Sequence, residues 1–260
     1  MTCADGSSPV GLPDPRHTLT STDWAALEHA YGPATDAPRM LSALWDSEQS
    51  VRTQALEYLH HTLHHQNTLY SATVAAALYV AAILADPRTN WGVDKERGSF
   101  PGPVRAELLT WIASVADEVT DKAERTSREF GFPLDGYSPA LGILEIRPLL
   151  FTAAHDATDD PDRHVREAAI VACIPLLDDP RLLRHRSALV PLVREVLGTS
   201  DLWQHRERAI DALDAWGEDS SGLEGQRNPF LFCDADLPSI DSSPWGHASG
   251  SDGCCEEPPF

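Results

Sequence analysis

The sequence predicts an all-α protein, a right-handed α-solenoid of antiparallel helix pairs with disordered termini. A short phrase occurs three times, as Val51-Arg52-Thr53-Gln54-Ala55-Leu56, Val165-Arg166-Glu167-Ala168-Ala169-Ile170 and His205-Arg206-Glu207-Arg208-Ala209-Ile210. The second and third copies lie 40 residues apart, and the first and second lie 114 apart, which is three steps of 38. A period of this length in helix-forming residues is typical of stacked helix pairs.

Composition divides the chain into three regions. Residues 1–18 are rich in Gly, Pro and Ser, which predicts a disordered leader. Residues 19–217 carry the helical patterns and form the predicted solenoid. In residues 218–260 nine acidic residues stand against one basic residue, Arg227, and no helical period is present, which predicts a disordered acidic tail.

Helices in the body are predicted from apolar stripes and end signals. The patterns cover about 21–31, 38–44, 48–64, 68–85, 103–127 and, with short polar turns, 140–217. The first begins at small polar residues that can cap free N–H groups, carries Trp24 and Tyr31 on one face, and stops at Gly32-Pro33. The long helix starts at Pro103, a residue suited to a first turn. Its predicted buried stripe is Val104, Leu108, Ile112, Val115 and Val119.

Two irregular stretches, 86–102 and 130–139, interrupt the helical pattern. Insertions in solenoids gather on one face, often the binding face. We therefore expect partner-binding residues in them, namely Trp91, Asp94, Glu96, Phe130, Phe132 and Tyr137. For Trp91 two interpretations stay open, because a loop aromatic can anchor a partner or cover a groove between repeats.

Each copy of the phrase follows an acidic turn and a preceding helix that opens with proline. The three units run from Pro38 through Asp46 to Arg52, from Pro148 through Asp160 to Arg166, and from Pro191 through Asp201 to Arg206. This order resembles the HEAT repeat over about 38–64 and 148–217, whereas 65–147 fit only as helices of suitable length. The resemblance implies that the Asp and Arg residues stack between neighbouring repeats as a structural ladder. That ladder comprises Asp46, Arg52, Asp160, Arg166, Asp201 and Arg206.

The charge balance narrows the class of partner. The chain has 20 basic and 40 acidic residues and a net charge of −20, which repels the phosphates of nucleic acids and attracts a basic protein. Its most apolar run, Thr73 to Ala85, is shorter than the ~20 residues that span a bilayer. We therefore expect no nucleic-acid or membrane partner, a cytoplasmic location and a monomer in isolation.

Catalytic and metal motifs are weak in this sequence. His60 and His64, and likewise His61 and His65, are i,i+4 pairs that could share a metal ion on a helix, but no third ligand accompanies them. The five cysteines have an odd number and irregular spacing, which favours neither a disulfide framework nor a zinc site. No nucleophile elbow or phosphate loop is present. We expect no catalytic residue, no metal and no cofactor.

The sequence thus favours a non-catalytic scaffold that binds a basic protein through an acidic groove and the insertion loops. The first alternative is a bacterial immunity protein that neutralises a toxin domain, which similarity to HEAT-like proteins of toxin neighbourhoods implies. An alternative of another class is a HEAT-like enzyme such as a bilin lyase, although no motif singles it out.

Overall fold

The computed structural model describes residues 11–93 and 102–220, and the chain is mostly helical there. Its α-helices are α1 (Pro15–Ser21), α2 (Ala37–Ser42), α3 (Gln49–Tyr58), α4 (Ser71–Ile83), α5 (Val104–Asp117), α6 (Asp121–Glu129), α7 (Ser138–His155), α8 (Arg163–Leu176), α9 (Arg186–Thr199) and α10 (Trp203–Ala215). Strands β1 (Glu28–His29) and β2 (Gly32–Pro33) pair antiparallel. A π-helical segment spans Leu59–Leu63, and 3-10 turns span Ala43–Trp45, His65–Asn67, Pro87–Asn90, Leu134–Gly136 and Pro180–His185. The prediction of an all-α protein is confirmed.

Several expectations concern residues outside the described ranges. They are the leader up to residue 10, the loop residues Asp94 and Glu96, and the tail from residue 221 onward. Within the described ranges, no helix combines the length and apolar character that a bilayer crossing needs.

The beginning of the body differs from the prediction. Helix α1 lies earlier than the predicted first helix and takes in the last four residues of the predicted leader. Asp14 caps it by accepting a hydrogen bond from the His17 N–H at 3.0 Å, and Pro15 occupies the first turn. Residues 22–31, predicted as helix, and the predicted stop at Gly32-Pro33 instead form turns and the β1–β2 pair. Trp24 is buried there and donates Nε1–H to Leu19 O, whereas Tyr31 is 70% exposed.

The predicted long helix over 103–127 is two helices. All five members of its apolar stripe are buried as expected, so the period was interpreted correctly. The break falls at Thr120, whose hydroxyl accepts a hydrogen bond from Ala123 N–H at 3.2 Å and caps α6. Asp121 and Glu124 in the first turn of α6 add a favourable interaction with the helix dipole.

Helices from distant parts of the sequence pack along one another. Helix α5 lies along α8, α8 also contacts α10, and α4 packs against α7. Sequence neighbours pair as α7 with α8 and α9 with α10. Trp111 of α5 is fully buried and donates its Nε1–H to Leu59 O at 2.9 Å, which joins α5 to the end of the α3 region.

The arginines of the repeated phrase make one contact in common. Each donates to the backbone carbonyl six residues earlier: Arg52 to Asp46 O at 2.7 Å, Arg166 to Asp160 O at 2.7 Å and Arg206 to Ser200 O at 2.5 Å. Each arginine thus fixes the turn that precedes its own helix. The Asp46 carboxylate accepts a hydrogen bond from Glu48 N–H at 2.8 Å, which helps to shape the turn before α3.

The hydrogen bonds that connect neighbouring repeat units involve some residues of the predicted ladder and some residues outside it. Arg52 also donates to Gly92 O at 2.7 Å, and Arg105 donates to the Asp160 carboxylate at 2.7 Å. Arg163 donates to the Asp201 carboxylate at 3.1 Å. The sequence prediction placed Asp160 and Asp201 in such links but missed Arg105 and Arg163. Arg105 follows Val104, so a Val-Arg pair outside the three phrase copies was visible in the sequence.

Gly142 sets the approach of α7 to α4. A Cβ at this position would lie 2.8 Å from Cγ2 of Val74. We expect Gly142→Ala to lower the free energy of unfolding by about 1–3 kcal/mol, because overpacking outweighs the ~1 kcal/mol that alanine adds to helix propensity. Urea unfolding followed by circular dichroism measures the change.

The double variant Val74→Ala/Gly142→Ala removes the clashing methyl groups and is expected to be more stable than the sum of its two single changes predicts. Gly136→Ala is the control, since a Cβ there meets nothing within 4 Å. A Gly142→Ala protein more stable than the parent would refute the close contact.

Candidate functional site

A cavity of about 1350 Å³ opens at the C-terminal ends of α5 and α8. Its walls also come from the start of α6, the 130–137 loop, one face of α10 and residues 67–69. The charged residues that line it are Asp117, Glu118, Lys122, Asp178, Glu207, Arg208 and Asp211. Five carboxylates therefore stand against two cations among its described lining residues. We call it the acidic cavity.

Backbone geometry adds to this negative potential. Helix α5 ends beside Asp117 and Glu118, and α8 ends shortly before Asp178. The C-terminus of a helix carries a partial negative charge from its unpaired carbonyls. Two helix C-termini and five carboxylates therefore all contribute negative electrostatic potential to this cavity.

Three of the five carboxylates have partners in the protein. Asp117 forms an ion pair with Arg208 of α10, and Asp178 accepts a hydrogen bond from Asp121 N–H at 3.0 Å at the start of α6. Asp211 lies 3.8 Å from Lys122, with both side chains exposed. Glu207 and Glu118 accept no hydrogen bond from the residues that the structure describes. Glu207 is exposed to solvent, which can hydrate its charge. Glu118 is therefore the lining carboxylate whose negative charge is least compensated by its surroundings.

Glu118 lies against a buried histidine. Its Oε1 is 3.7 Å from His64 Nε2, and the two side chains are 26% and 2% exposed. Burial, and to a lesser extent the charge of Asp117, raises the pKa of Glu118 to about 7. Burial also lowers the pKa of His64 to about 4, helped by the neighbouring His60. Above pH 7 the pair therefore consists of an ionised carboxylate and a neutral imidazole.

An unusual backbone path brings His64 to this position. The α-helical turns of α3 widen into the π-helical segment Leu59–Leu63, and then Gln66 and Asn67 take positive φ values of 50° and 57°. Positive φ strains residues other than glycine, and such strain and π-helical insertions are found often at functional sites. The turn places Asn67, Thr68 and Leu69 in the cavity wall.

The 130–137 loop forms the aromatic rim of the acidic cavity. Phe132 and Tyr137 line it, and Phe130 lies next to them in the loop. Phe130 and Phe132 are 75% and 76% exposed. Two hydrogen bonds hold the loop in place. Leu134 N–H donates to the Glu124 carboxylate at 2.9 Å, and the Tyr137 hydroxyl donates to Leu69 O. The side chains of Phe130 and Phe132 are thus exposed to solvent on a loop that hydrogen bonds keep in place.

Trp91 lies elsewhere. Its carbonyl accepts a hydrogen bond from Val104 N–H at 3.0 Å, which places it at the N-terminal end of α5. Because α5 rises 1.5 Å per residue, this end is roughly 20 Å from the end that meets the acidic cavity. The Arg52 guanidinium lies 5.3 Å from the centre of the Trp91 ring, which is 38% exposed. Trp91 therefore covers the buried arginine and is separate from the predicted aromatic residues at 130–137.

The histidine pairs do not form the helical face that the sequence suggested. His60 and His61 lie in the π-helical segment, whereas His64 is buried against Glu118 and His65 begins the next turn. The ring of His65 instead packs against Tyr31 at 5.6 Å. No cluster of three or more metal-binding side chains occurs in the residues that the structure describes.

The sequence pattern indicated the aromatic loop and the acidic character of the chain but did not single out Glu118, His64, Asp178 or Arg208. The histidine cluster was the one available signal for His64. No protein-family model, curated protein or solved structure matches this chain, so the acidic cavity and its rim are the basis for any functional statement.

Proposed function

We propose that this chain is a non-catalytic α-solenoid scaffold that binds a basic segment of a protein partner in the acidic cavity. The observation that carries the proposal is the concentration of five carboxylates and two helix C-termini in one cavity of about 1350 Å³. Such a field attracts cationic groups, accelerates their association and disfavours nucleic acids.

The exposed aromatic rim supports a macromolecular partner. Ordered aromatic side chains beside a charged cavity are the usual anchors of protein–protein interfaces. Phe130 and Phe132 would contact apolar groups that flank the basic segment, while the carboxylates receive its charges. The proposed solenoid rests on α5 packing along α8 and α8 on α10, and on the recurring arginine contact in the turns before α3, α8 and α10.

Affinity capture from the source cell, with mass spectrometry and a binding titration of the captured partner, tests the proposal. We expect the partner to carry a basic segment and to lose affinity as salt rises, because added ions screen exposed charges. The variant Glu207→Lys/Asp211→Lys reverses two exposed cavity charges and should weaken binding about 10- to 100-fold.

The matched control is Glu57→Lys/Glu145→Lys, which reverses two exposed acids that do not line the cavity. Its affinity should stay close to that of the parent chain. Equal weakening by both double variants would mean that net charge alone drives association. Recovery of no partner at low salt would count against a scaffold.

A further inference from the structure

A buried histidine behind Glu118 of the acidic cavity has a ring nitrogen without a hydrogen-bond partner among the described residues. His64 is 4% exposed, and its Nε2 finds no hydrogen-bond partner among the described residues. That atom is directed at Glu118, 3.7 Å away, and the Glu118 carboxylate accepts no hydrogen bond from the described part of the chain. Native proteins pair nearly all buried polar atoms, so the unpartnered His64 Nε2 needs a reason.

The surroundings of Glu118 favour a cation. His64 approaches it from the segment after α3, and Asp117 precedes it on α5. From the other walls come Asp178 after α8, Lys122 of α6 and Arg208 of α10, whose Nη2 pairs with Asp117 while its buried Nη1 has no hydrogen-bond partner among the described residues. A half-buried carboxylate beside further acids and a neutral imidazole is stabilised when a positive charge enters the cavity.

The cavity suits a guanidinium better than an ammonium group. A guanidinium is planar and weakly hydrated, stacks on aromatic rings and binds a carboxylate with two parallel N–H donors. Tyr137, Phe132 and Trp216 supply aromatic surface in the same cavity. Gln204, another lining residue, has a buried Oε1 that accepts no hydrogen bond from the described residues, so a second acceptor is also available.

We infer that the acidic cavity anchors an arginine side chain of the partner, and that Glu118 is the carboxylate that receives its guanidinium. This inference rests on the proposed function and adds to it the identity of the anchoring side chain. It also predicts a pH dependence, because the guanidinium binds the ionised carboxylate. With a Glu118 pKa of about 7, the ionised fraction rises about tenfold between pH 6 and pH 8. His64 stays neutral throughout that range.

The test titrates the full chain with N-acetyl-arginine amide and follows the backbone amides and the Glu118 carboxyl carbon by NMR. We expect shifts confined to residues of the acidic cavity, affinity about tenfold higher at pH 8 than at pH 6, and a fall in the Glu118 pKa when the arginine probe is bound. N-acetyl-citrulline amide has the same shape without the charge and should not bind. N-acetyl-lysine amide and spermidine should bind more weakly.

Glu118→Gln removes the charge and keeps the shape, so it should weaken arginine binding more than tenfold and abolish the pH dependence. Glu145→Gln, outside the cavity, should leave both unchanged. Because the Glu118 pKa is read in the unsubstituted chain, the inference stays testable if the variant folds poorly. Equal binding of citrulline, tighter binding of lysine or spermidine, or an unshifted Glu118 pKa would overturn it.

The outcomes separate this inference from the proposed function. One outcome is that partner binding weakens on substitution of Glu207 and Asp211 but not in Glu118→Gln, and that the arginine probe does not bind. This outcome would refute the arginine anchor and still support the scaffold. Specific arginine binding without any captured partner would keep the anchor and remove the scaffold.

Discussion

Arg52→Met will lower the free energy of unfolding by about 3–5 kcal/mol. Arg52 is 5% exposed, and its guanidinium donates to Asp46 O at 2.7 Å, Ser47 O at 2.9 Å and Gly92 O at 2.7 Å. Methionine fills a similar volume but has no hydrogen-bond donor. Three carbonyls in a poorly solvated region therefore lose their hydrogen-bond partner. The stacking of the guanidinium on Trp91 is lost as well.

Urea unfolding followed by circular dichroism measures this effect, with the slope of the transition checked for a change in the denatured state. Arg39→Met is the matched control, since Arg39 is an exposed arginine of α2 and should change stability by less than about 0.5 kcal/mol. Arg166→Met should lie between the two, because Arg166 is only partly buried. If Arg52→Met were as stable as Arg39→Met, the turn arginines would not hold neighbouring units together.

The helices that the sequence predicted best are those with a continuous apolar stripe. In α5 the positions from Val104 to Val115 repeat at three and four residues, and burial of one face follows from the helix period alone. The break at Thr120 depends instead on one hydroxyl that caps α6, and a small polar residue is compatible with a helix interior as well as with a cap. Periodicity therefore located the buried face but not the helix end.

The repeat phrase illustrates a second limit. The resemblance implied a structural role for Arg52, Arg166 and Arg206, and each of them donates to the backbone carbonyl six residues earlier. It did not predict that the acceptors are backbone carbonyls, nor that Arg105 rather than Arg166 donates to the Asp160 carboxylate. Those choices depend on which turn of the neighbouring unit comes within reach, which is a property of the packed helices.

For the acidic cavity, the sequence predicted the negative charge but not the arrangement of the residues. An excess of acids implied a negative surface, and two phenylalanines among glycines and prolines implied an exposed loop. The role proposed for Glu118 rests on a carboxylate that accepts no hydrogen bond from the described residues, and on a π-helical segment that brings His64 within 3.7 Å. Neither feature leaves a pattern in the residues themselves.

Glu167 of the second phrase copy is the centre of a buried network between α8 and α10. Its carboxylate accepts hydrogen bonds from Arg163 Nε at 2.7 Å and from the Ser200 hydroxyl at 2.6 Å, and His205 Nδ1 lies 3.7 Å away. Burial alone would raise the pKa of Glu167, but the nearby His205 imidazole and the hydrogen bonds from Ser200 and Arg163 lower it to about 2. The native fold therefore holds this carboxylate ionised.

We expect Glu167→Gln to lower the free energy of unfolding by about 3 kcal/mol at pH 7, since the pKa is depressed from 4.5 to about 2. A pKa that is lower in the folded state means that the unfolded chain binds more protons on acidification. The contribution of Glu167 is thus complete above about pH 5 and is lost as the pH falls toward 2. Thermal unfolding of both proteins between pH 7 and pH 2.5 measures it.

The decisive quantity is the difference in stability between the parent chain and Glu167→Gln as a function of pH. Other carboxylates titrate in both proteins and cancel in that difference, so it should shrink steadily between pH 5 and pH 2.5. Glu195→Gln, an exposed carboxylate of α9, should show no difference at any pH. A constant difference between the parent and Glu167→Gln would mean that glutamine disturbs packing, and that the ionised carboxylate does not join α8 to α10.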